Sequence, residues 1–184
     1  MRVWLFIIGF GLASCYANEC VRTREMPTGL KLDHYRSPTP ACVPQGVTLA
    51  TAELKTLIET EQPVLIDVMA VYLREDQEFG ATWLVNEPHF NLPQSVWLPN
   101  TGYGTLEPKI ETWFKAQLAQ LTAGNLNRPL VFYCVADCWM SWNAVQRVRA
   151  YGYQRVYWYK EGIDGWKAAG WPLVNSEPQP FDQK

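Results

Sequence analysis

The chain has 184 residues, a length that indicates one domain with some additional sequence. Hydrophobic residues make up 48% and charged residues 18%, a composition that excludes a disordered chain and is sufficient for one full-sized core. The formal net charge is −2, so the chain has no basic field that would attract nucleic acid, and we exclude nucleic acid as a partner.

The first 17 residues have the layout of a secretory signal peptide, with Arg2, then the apolar run VWLFIIGFGLAS, then small residues. Cleavage after Ala17 would release a soluble protein. Alternatively, LASC at 12–15 resembles a lipobox, which would shorten the signal to 1–14 and place a lipid anchor on Cys15. The apolar run is too short for a membrane span between globular segments, so we predict an exported protein without a transmembrane span.

Export places four cysteines in an oxidising compartment, where thiols tend to pair. Three pairings of Cys20, Cys42, Cys134 and Cys138 are open on sequence alone. The most economical joins Cys20 to Cys42 as a structural disulfide and leaves Cys134 and Cys138 together. Both members of the first pair lie in residues 18–47, which are rich in Pro and Gly, show no sustained period and predict an extended N-terminal arm.

The domain is predicted to span residues 48–175. Its first elements are a helix with Thr51 as its N-terminal cap and a buried strand at 64–68. Residues 70–104 are rich in Gly, Pro and Asn and predict an irregular segment with one short strand at 95–98.

The second half of the domain alternates strands with helices. The predicted elements are a helix from Pro108 to about Gly124, a strand at 130–133, a helix from about Trp142 to Tyr151, a strand at 156–159, a glycine-rich turn at 162–165 and a short helix from Trp166. This alternation predicts an α/β fold with a mostly parallel sheet. The tail at 176–184 is predicted to be loose.

Two cysteines follow the predicted strand at 130–133, in the segment 134–138 that we call the cysteine loop. Sites in parallel sheets form beyond the C-terminal ends of strands. Backbone N–H groups and the positive end of the following helix would favour a thiolate there. We therefore predict Cys134 as the nucleophile and Cys138 as the thiol that resolves it through a reversible disulfide.

Other chemistry fits this loop poorly. Covalent haem attachment requires CxxCH, whereas the spacing here is CxxxC and position 139 is Trp. The chain has two histidines, each more often a hydrogen-bonded residue than a ligand, so no metal site is predicted.

Residues around the two thiols are predicted to support them. Trp139 stands at the junction of loop and helix, where its ring would cover the thiols or face a partner. Val135 and Ala136 supply loop backbone, and Asn143 is expected to bond that backbone.

Several segments together resemble the rhodanese-like domain over about residues 48–175. They are IDV at 66–68, SVWLPN at 95–100, VFYC at 131–134, GYQRVYWYKEGIDGW at 152–166 and GWPL at 170–173. The resemblance implies a central, mostly parallel five-stranded sheet flanked by helices. It also implies an acid after the first strand at Asp67 and a catalytic-type cysteine at Cys134.

A narrower resemblance rests on HYRSPTP at 34–40, SVWLPNTGYG at 95–104 and CVADCWMSWNA at 134–144. These segments are similar to exported CxxCW-motif proteins associated with PQQ-dependent alcohol catabolism in Gram-negative bacteria. The resemblance implies a periplasmic accessory role, with a quinoprotein dehydrogenase or cytochrome c as partner and an indirect association with PQQ or cytochrome c. It identifies no cofactor bound by the chain itself.

The cysteine loop departs from that of an active rhodanese, which resembles C-R-x-G-x-R and uses cations to hold an anionic sulfur donor. Here the loop has no cation, and Asp137 would repel thiosulfate. Three hypotheses follow: a thiol redox or sulfur-transfer enzyme, a non-catalytic binding module, and a structural domain with a loop disulfide. We favour an accessory redox or assembly role over rhodanese turnover.

Overall fold

The computed structural model describes residues 20–24, 26–76, 78 and 80–181. The signal peptide and the lipid anchor at Cys15 concern residues 1–19 and lie outside this range. Within it, no helix is both long and apolar enough to cross a membrane.

The described residues form nine strands and four helices. In chain order they are β1 (Val47–Leu49), α1 (Thr51–Glu61), β2 (Val64–Asp67), β3 (Tyr72–Asp76), β4 (Gly80–Leu84), β5 (His89–Asn91), β6 (Val96–Trp97), α2 (Pro108–Thr122), β7 (Leu130–Tyr133), α3 (Trp139–Ala150), β8 (Val156–Tyr159), α4 (Gly162–Ala168) and β9 (Val174–Ser176).

Five strands form one sheet in the order β1-β8-β7-β2-β6, and every neighbouring pair is parallel. Helices α2 and α3 contribute to the core on one face of this sheet, and α1 and α4 to the core on the other. Because both faces are covered, the middle strand β7 is buried along its whole length. The predicted α/β fold with a parallel five-stranded sheet is confirmed.

Three predicted boundaries shift. Helix α1 is capped by Ala50 rather than Thr51, whose hydroxyl instead bonds Glu161. Helix α3 begins at Trp139, before the predicted Trp142, because the arm supplies a carbonyl acceptor for the Trp139 N–H. Helix α4 begins in the predicted turn, at Gly162, whose positive φ of 54° and close approach to the Cys134 carbonyl leave no room for a side chain.

The segment predicted as irregular contains an antiparallel hairpin formed by β3 and β4. Four of the five residues of β3 are exposed, and three of them are charged. A strand with so few buried positions carries no apolar alternation, so its sequence resembles that of a loop.

The predicted loose tail is wrong for residues 176–181, which pack on the domain. Phe181 is buried between Trp83 and Trp113, each with its ring centroid 5.4 Å away. The Trp113 indole donates to the Pro180 carbonyl at 2.9 Å, and the Gln179 N–H donates to the Trp97 carbonyl. The tail has no periodicity because its partners are indole N–H groups and backbone atoms of distant elements.

The arm carries the predicted disulfide between Cys20 and Cys42, whose Cα atoms lie 5.5 Å apart. Its end is fixed to α3 by the Trp142 indole, which donates to the Cys42 carbonyl at 3.2 Å. The arm is therefore tied both to itself and to the domain.

Replacing this disulfide, as Cys20→Ala/Cys42→Ala, should lower the free energy of unfolding by about 3 kcal/mol. A cross-link across a loop of this size removes roughly that much entropy from the unfolded chain. Urea unfolding followed by tryptophan fluorescence measures the loss. The Cys42 carbonyl stays in place, so the comparison isolates the cross-link, and equal midpoints for the variant and the parent would contradict the prediction.

Candidate functional site

The cysteine loop begins where β7 ends and finishes at the N-cap of α3. Cys134 and Cys138 form a disulfide, with their Cα atoms 6.4 Å apart. Cys134 is 0% exposed and Cys138 is 3% exposed. The predicted pairing is thus present, and both sulfur atoms are shielded from solvent.

Asp137 turns the chain back toward Cys138. Its φ of 51° lies in the left-handed region, which Asp adopts more readily than most residues. Its Oδ1 accepts hydrogen bonds from the Thr39 N–H at 3.1 Å and the Thr39 hydroxyl at 3.3 Å. The Asp137 carboxylate therefore faces the arm.

Residues 35–39 of the arm, which we call the strap, lie along the cysteine loop like an additional strand. Arg36 pairs in antiparallel fashion with Cys138. The Trp139 N–H donates to the Tyr35 carbonyl at 2.9 Å, and the Trp139 indole donates to the Ser37 hydroxyl at 2.9 Å. The Trp139 ring is expected to cover the thiols or to face a partner; in the structure it contacts the chain's own arm instead.

The start of α4 covers another side of the loop. The Ala136 N–H donates to Asp164 Oδ2 at 2.9 Å, and the Ile163 N–H donates to the Cys134 carbonyl at 2.9 Å. Val135 pairs in antiparallel fashion with Gly162. A loop N–H that could hold an external anion is thus occupied by one of the chain's own carboxylates.

Asn143 does not bond the cysteine loop, contrary to expectation. Its Oδ1 accepts from the Lys31 N–H at 2.8 Å, and its Nδ2 donates to the carbonyls of Lys31 and Gly102 at 2.8 and 3.0 Å. Asn143 is fully buried. It fixes the arm to α3 because the arm, and not the loop, reaches it with unpaired backbone groups.

The arm also brings a cation that sequence reasoning missed. Arg36 has an exposed side chain and lies opposite Cys138, although the two are far apart in sequence. Arg147, the first basic residue after the loop, is used elsewhere: it donates to the carbonyls of Thr101, Tyr103 and Gly104. Only the pairing of arm and loop reveals Arg36.

Asp67, predicted to support the loop, forms a neighbouring polar pair with His89. His89 Nε2 and Asp67 Oδ2 are 2.8 Å apart, and the Met69 N–H donates to Asp67 Oδ1 at 2.7 Å. Complete burial raises the pKa of Asp67 above its ordinary value, partly opposed by His89. Its link to the cysteine loop is Met69, whose sulfur lies 3.9 Å from Cys134 Sγ.

Replacement of Asp67 by Asn should change how stability depends on pH. Because its pKa is raised, the folded state binds the Asp67 proton more tightly than the unfolded state, so this contribution to stability is lost as pH rises through the folded pKa. Asp67→Asn removes the titration. We expect the variant to gain stability relative to the parent as pH rises, by about 1.4 kcal/mol for each unit of pKa elevation.

Urea unfolding of both proteins across the acidic to neutral range measures this difference. Glu87→Gln, at an exposed carboxylate, controls for the loss of a negative charge. A stability difference that stays constant with pH would contradict the raised pKa.

The comparison with protein families agrees with the observed fold. The rhodanese-like domain model matches residues 50–169. No curated protein matches significantly. The chain spans about a fifth of the first solved structure to which it is similar, a thiosulfate sulfurtransferase from Pseudomonas aeruginosa.

That structure has a TM-score of 0.49 and 18% identity, with 73% of this chain and 21% of that chain covered. A polysulfide-sulfur transferase homodimer from Wolinella succinogenes has a TM-score of 0.44 and 21% identity, with 71% and 79% covered. A human single-domain sulfurtransferase has a TM-score of 0.39 and 21% identity, with 66% and 95% covered. Because the family match covers well over half of the sequence, including the cysteine loop, the chain belongs to the rhodanese-like domain family.

Proposed function

We propose that this chain is an exported, periplasmic accessory protein whose cysteine loop cycles between a disulfide and two thiols. The observation that carries the proposal is the Cys134–Cys138 disulfide in the loop that follows the central strand. Two cysteines four residues apart at this place, in an oxidising compartment, form a pair that thiol–disulfide exchange can open and close.

Redox exchange accounts for the local groups better than sulfur transfer. Transfer through a persulfide needs a free Cys134 thiolate and donors for an anionic substrate. In this loop Cys134 is bonded to Cys138, the Ala136 N–H is bonded to Asp164, and Asp137 adds a negative charge. The closed disulfide prevents formation of a persulfide on Cys134, and the other two features oppose binding of an anionic sulfur donor.

The reduced state would also be stabilised by the fold. Cys138 is the N-cap of α3, a helix of 12 residues. The positive end of the helix dipole favours a thiolate at this position, and a stabilised thiolate makes a better leaving group in exchange. Cys138 thus stabilises the reduced loop, and it is also a good leaving group in the exchange.

The accessory role is supported by the three segments that resemble the CxxCW-motif proteins. Segment 34–40 bonds the cysteine loop and Trp139, and segment 95–104 contributes the Gly102 carbonyl that Asn143 bonds. Segments 34–40 and 95–104 therefore both contact segment 134–144, as expected if the three serve one function. We propose a quinoprotein dehydrogenase or its cytochrome c as the partner, with an indirect association with PQQ.

Intact-mass analysis of the periplasmic protein, together with titration against a glutathione redox series, tests the proposal. We expect two disulfides in the isolated protein. The Cys134–Cys138 disulfide should be reduced at a redox potential that leaves Cys20–Cys42 oxidised. A Cys134→Ser/Cys138→Ser variant identifies which transition belongs to the loop. A loop disulfide that stays oxidised at every redox potential at which the protein remains folded would contradict redox cycling.

A second candidate, a binding module with a structural loop disulfide, is favoured by one observation. Both sulfur atoms are almost completely buried beneath the strap, α4 and Met69. The same titration separates the two candidates, because a structural disulfide would resist reduction until the protein unfolds.

A further inference from the structure

We propose that the thiol substrate of the cysteine loop is an extended polypeptide, and that the strap occupies its docking position in the structure. This inference rests on the proposed redox function and names the substrate class. The juxtaposition that carries it is the antiparallel backbone pairing of Arg36 with Cys138, one of the two disulfide cysteines.

The groups that hold the strap are mostly groups that any polypeptide can satisfy. The Trp139 N–H bonds the Tyr35 carbonyl, and the Asp137 carboxylate accepts from the Thr39 N–H. Both strap partners are main-chain groups, and they lie at the two ends of the strap. An extended segment of another protein offers the same carbonyl and N–H at the same spacing.

Two contacts add side-chain preference. The Trp139 indole donates to the Ser37 hydroxyl, and the Thr39 hydroxyl donates to Asp137. A partner segment with hydroxyl or amide side chains at alternate positions would reproduce both. These contacts therefore predict a polar, extended segment beside the partner's cysteine.

Small anionic sulfur compounds fit the same place less well. They would meet the carboxylate of Asp137, which belongs to the loop, and that of Asp164, which accepts from the Ala136 N–H of the loop. Displacing the strap also leaves the backbone and indole N–H groups of Trp139 without their acceptors. A polypeptide replaces both acceptors, and so it compensates for the displacement that exposes the sulfur atoms.

The strap can move away from the cysteine loop while the arm residues on either side of it stay bonded to α3. On one side Lys31 is bonded to Asn143, and on the other the Cys42 carbonyl is bonded to Trp142. The strap lies between these two anchors. Displacement therefore requires local opening of residues 35–39, not release of the whole arm.

The exchange then balances in two steps. A partner thiolate attacks Cys138 Sγ, so that a bond forms between those two sulfurs, the Cys134–Cys138 bond breaks, and Cys134 leaves as a thiolate that takes up a proton. A second partner thiol, after losing its proton, attacks the first partner sulfur and releases Cys138, which is protonated in turn. The partner dithiol is oxidised by two electrons and the loop is reduced. Cys138 is the sulfur attacked because it lies against the strap, whereas Cys134 is fully buried beside Met69. This assignment reverses the roles that the sequence predicts for the two cysteines.

The test compares two reductants on the full chain: glutathione and an unstructured synthetic peptide with two cysteines flanked by Ser and Thr, matched in thiolate concentration. Reduction of the Cys134–Cys138 pair is followed by tryptophan fluorescence. In the parent protein the peptide should react about tenfold faster than glutathione. Ser37→Ala/Thr39→Val, which weakens the strap, should raise both rates about fivefold. Thr28→Val, at an exposed arm position outside the strap, should leave both rates unchanged.

A second measurement does not depend on the strap variant. In Cys134→Ser protein with the peptide joined to Cys138, amide hydrogen exchange of residues 35–39 should rise above that of the same protein joined to glutathione. Equal exchange would show that the peptide does not take the place of the strap, and would overturn the inference.

The rate measurements separate the two proposals. If glutathione reacts as fast as the peptide in the parent and the strap variant, the substrate class is a small thiol, and the inference fails while redox cycling stands. Unchanged rates in the strap variant would likewise overturn it. If neither reductant opens the pair in any variant, the proposed function itself fails.

Discussion

The purified protein should form thiocyanate from thiosulfate and cyanide at close to the uncatalysed rate. With Cys134 bonded to Cys138, no thiolate is free to take a sulfur atom. After reduction, the loop still presents Asp164 on the Ala136 N–H and Asp137 beside it. Developing negative charge on sulfur needs donors and cations, and the loss of such groups typically costs about two to three powers of ten in rate.

Three variants identify which feature of the cysteine loop suppresses thiocyanate formation. Asp137 is exposed, so solvent screens its charge, and Asp137→Gly alone should raise the rate by less than about tenfold. Glycine also suits the positive φ at this position, so the loop should keep its shape. Asp137→Gly/Cys138→Ser, which additionally frees Cys134, should increase the rate of thiocyanate formation more than Asp137→Gly alone. Cys134→Ser gives the background rate. Robust thiocyanate formation by the parent protein would refute the electrostatic argument.

The central sheet could be predicted because its strands are short runs bounded by clear signals. Leu130–Tyr133 follows a proline and is buried at every position, and Val156–Tyr159 carries four β-favouring residues. Pro108 opens α2 as predicted, since proline fits the first turn of a helix. The hairpin of β3 and β4 could not be predicted, because its exposed first strand has no apolar face.

The cysteine loop could be predicted because its two thiols lie four residues apart in the chain, directly after a predicted strand. The groups that enclose it could not. Thr39 lies 98 residues from Asp137, and Asp164 lies 28 residues from Ala136. A carboxylate or a backbone carbonyl has no sequence signal that identifies its partner; only the packing of the arm and α4 brings these groups together.

The role of Asn143 is determined by partners that are distant in sequence. Of the replacements considered, that of Asn143 should lower the free energy of unfolding most. Asn143→Leu keeps the approximate volume but removes all three side-chain hydrogen bonds to Lys31 and Gly102. Leaving buried backbone groups without partners costs about 1–3 kcal/mol each, so the free energy of unfolding should fall by about 4 kcal/mol. Urea unfolding measures the loss, with Asn127→Leu, at an exposed turn position, as the matched control.

The same variant links stability to access. Because Asn143 holds one end of the arm, its loss should let the strap leave the cysteine loop more often, and reduction of Cys134–Cys138 should accelerate. The variant's reduction rate should then approach that of Ser37→Ala/Thr39→Val. A variant that is destabilised but reduced at the parent's rate would mean that the arm opens at the strap independently of its anchor, since local opening follows local contacts and not global stability.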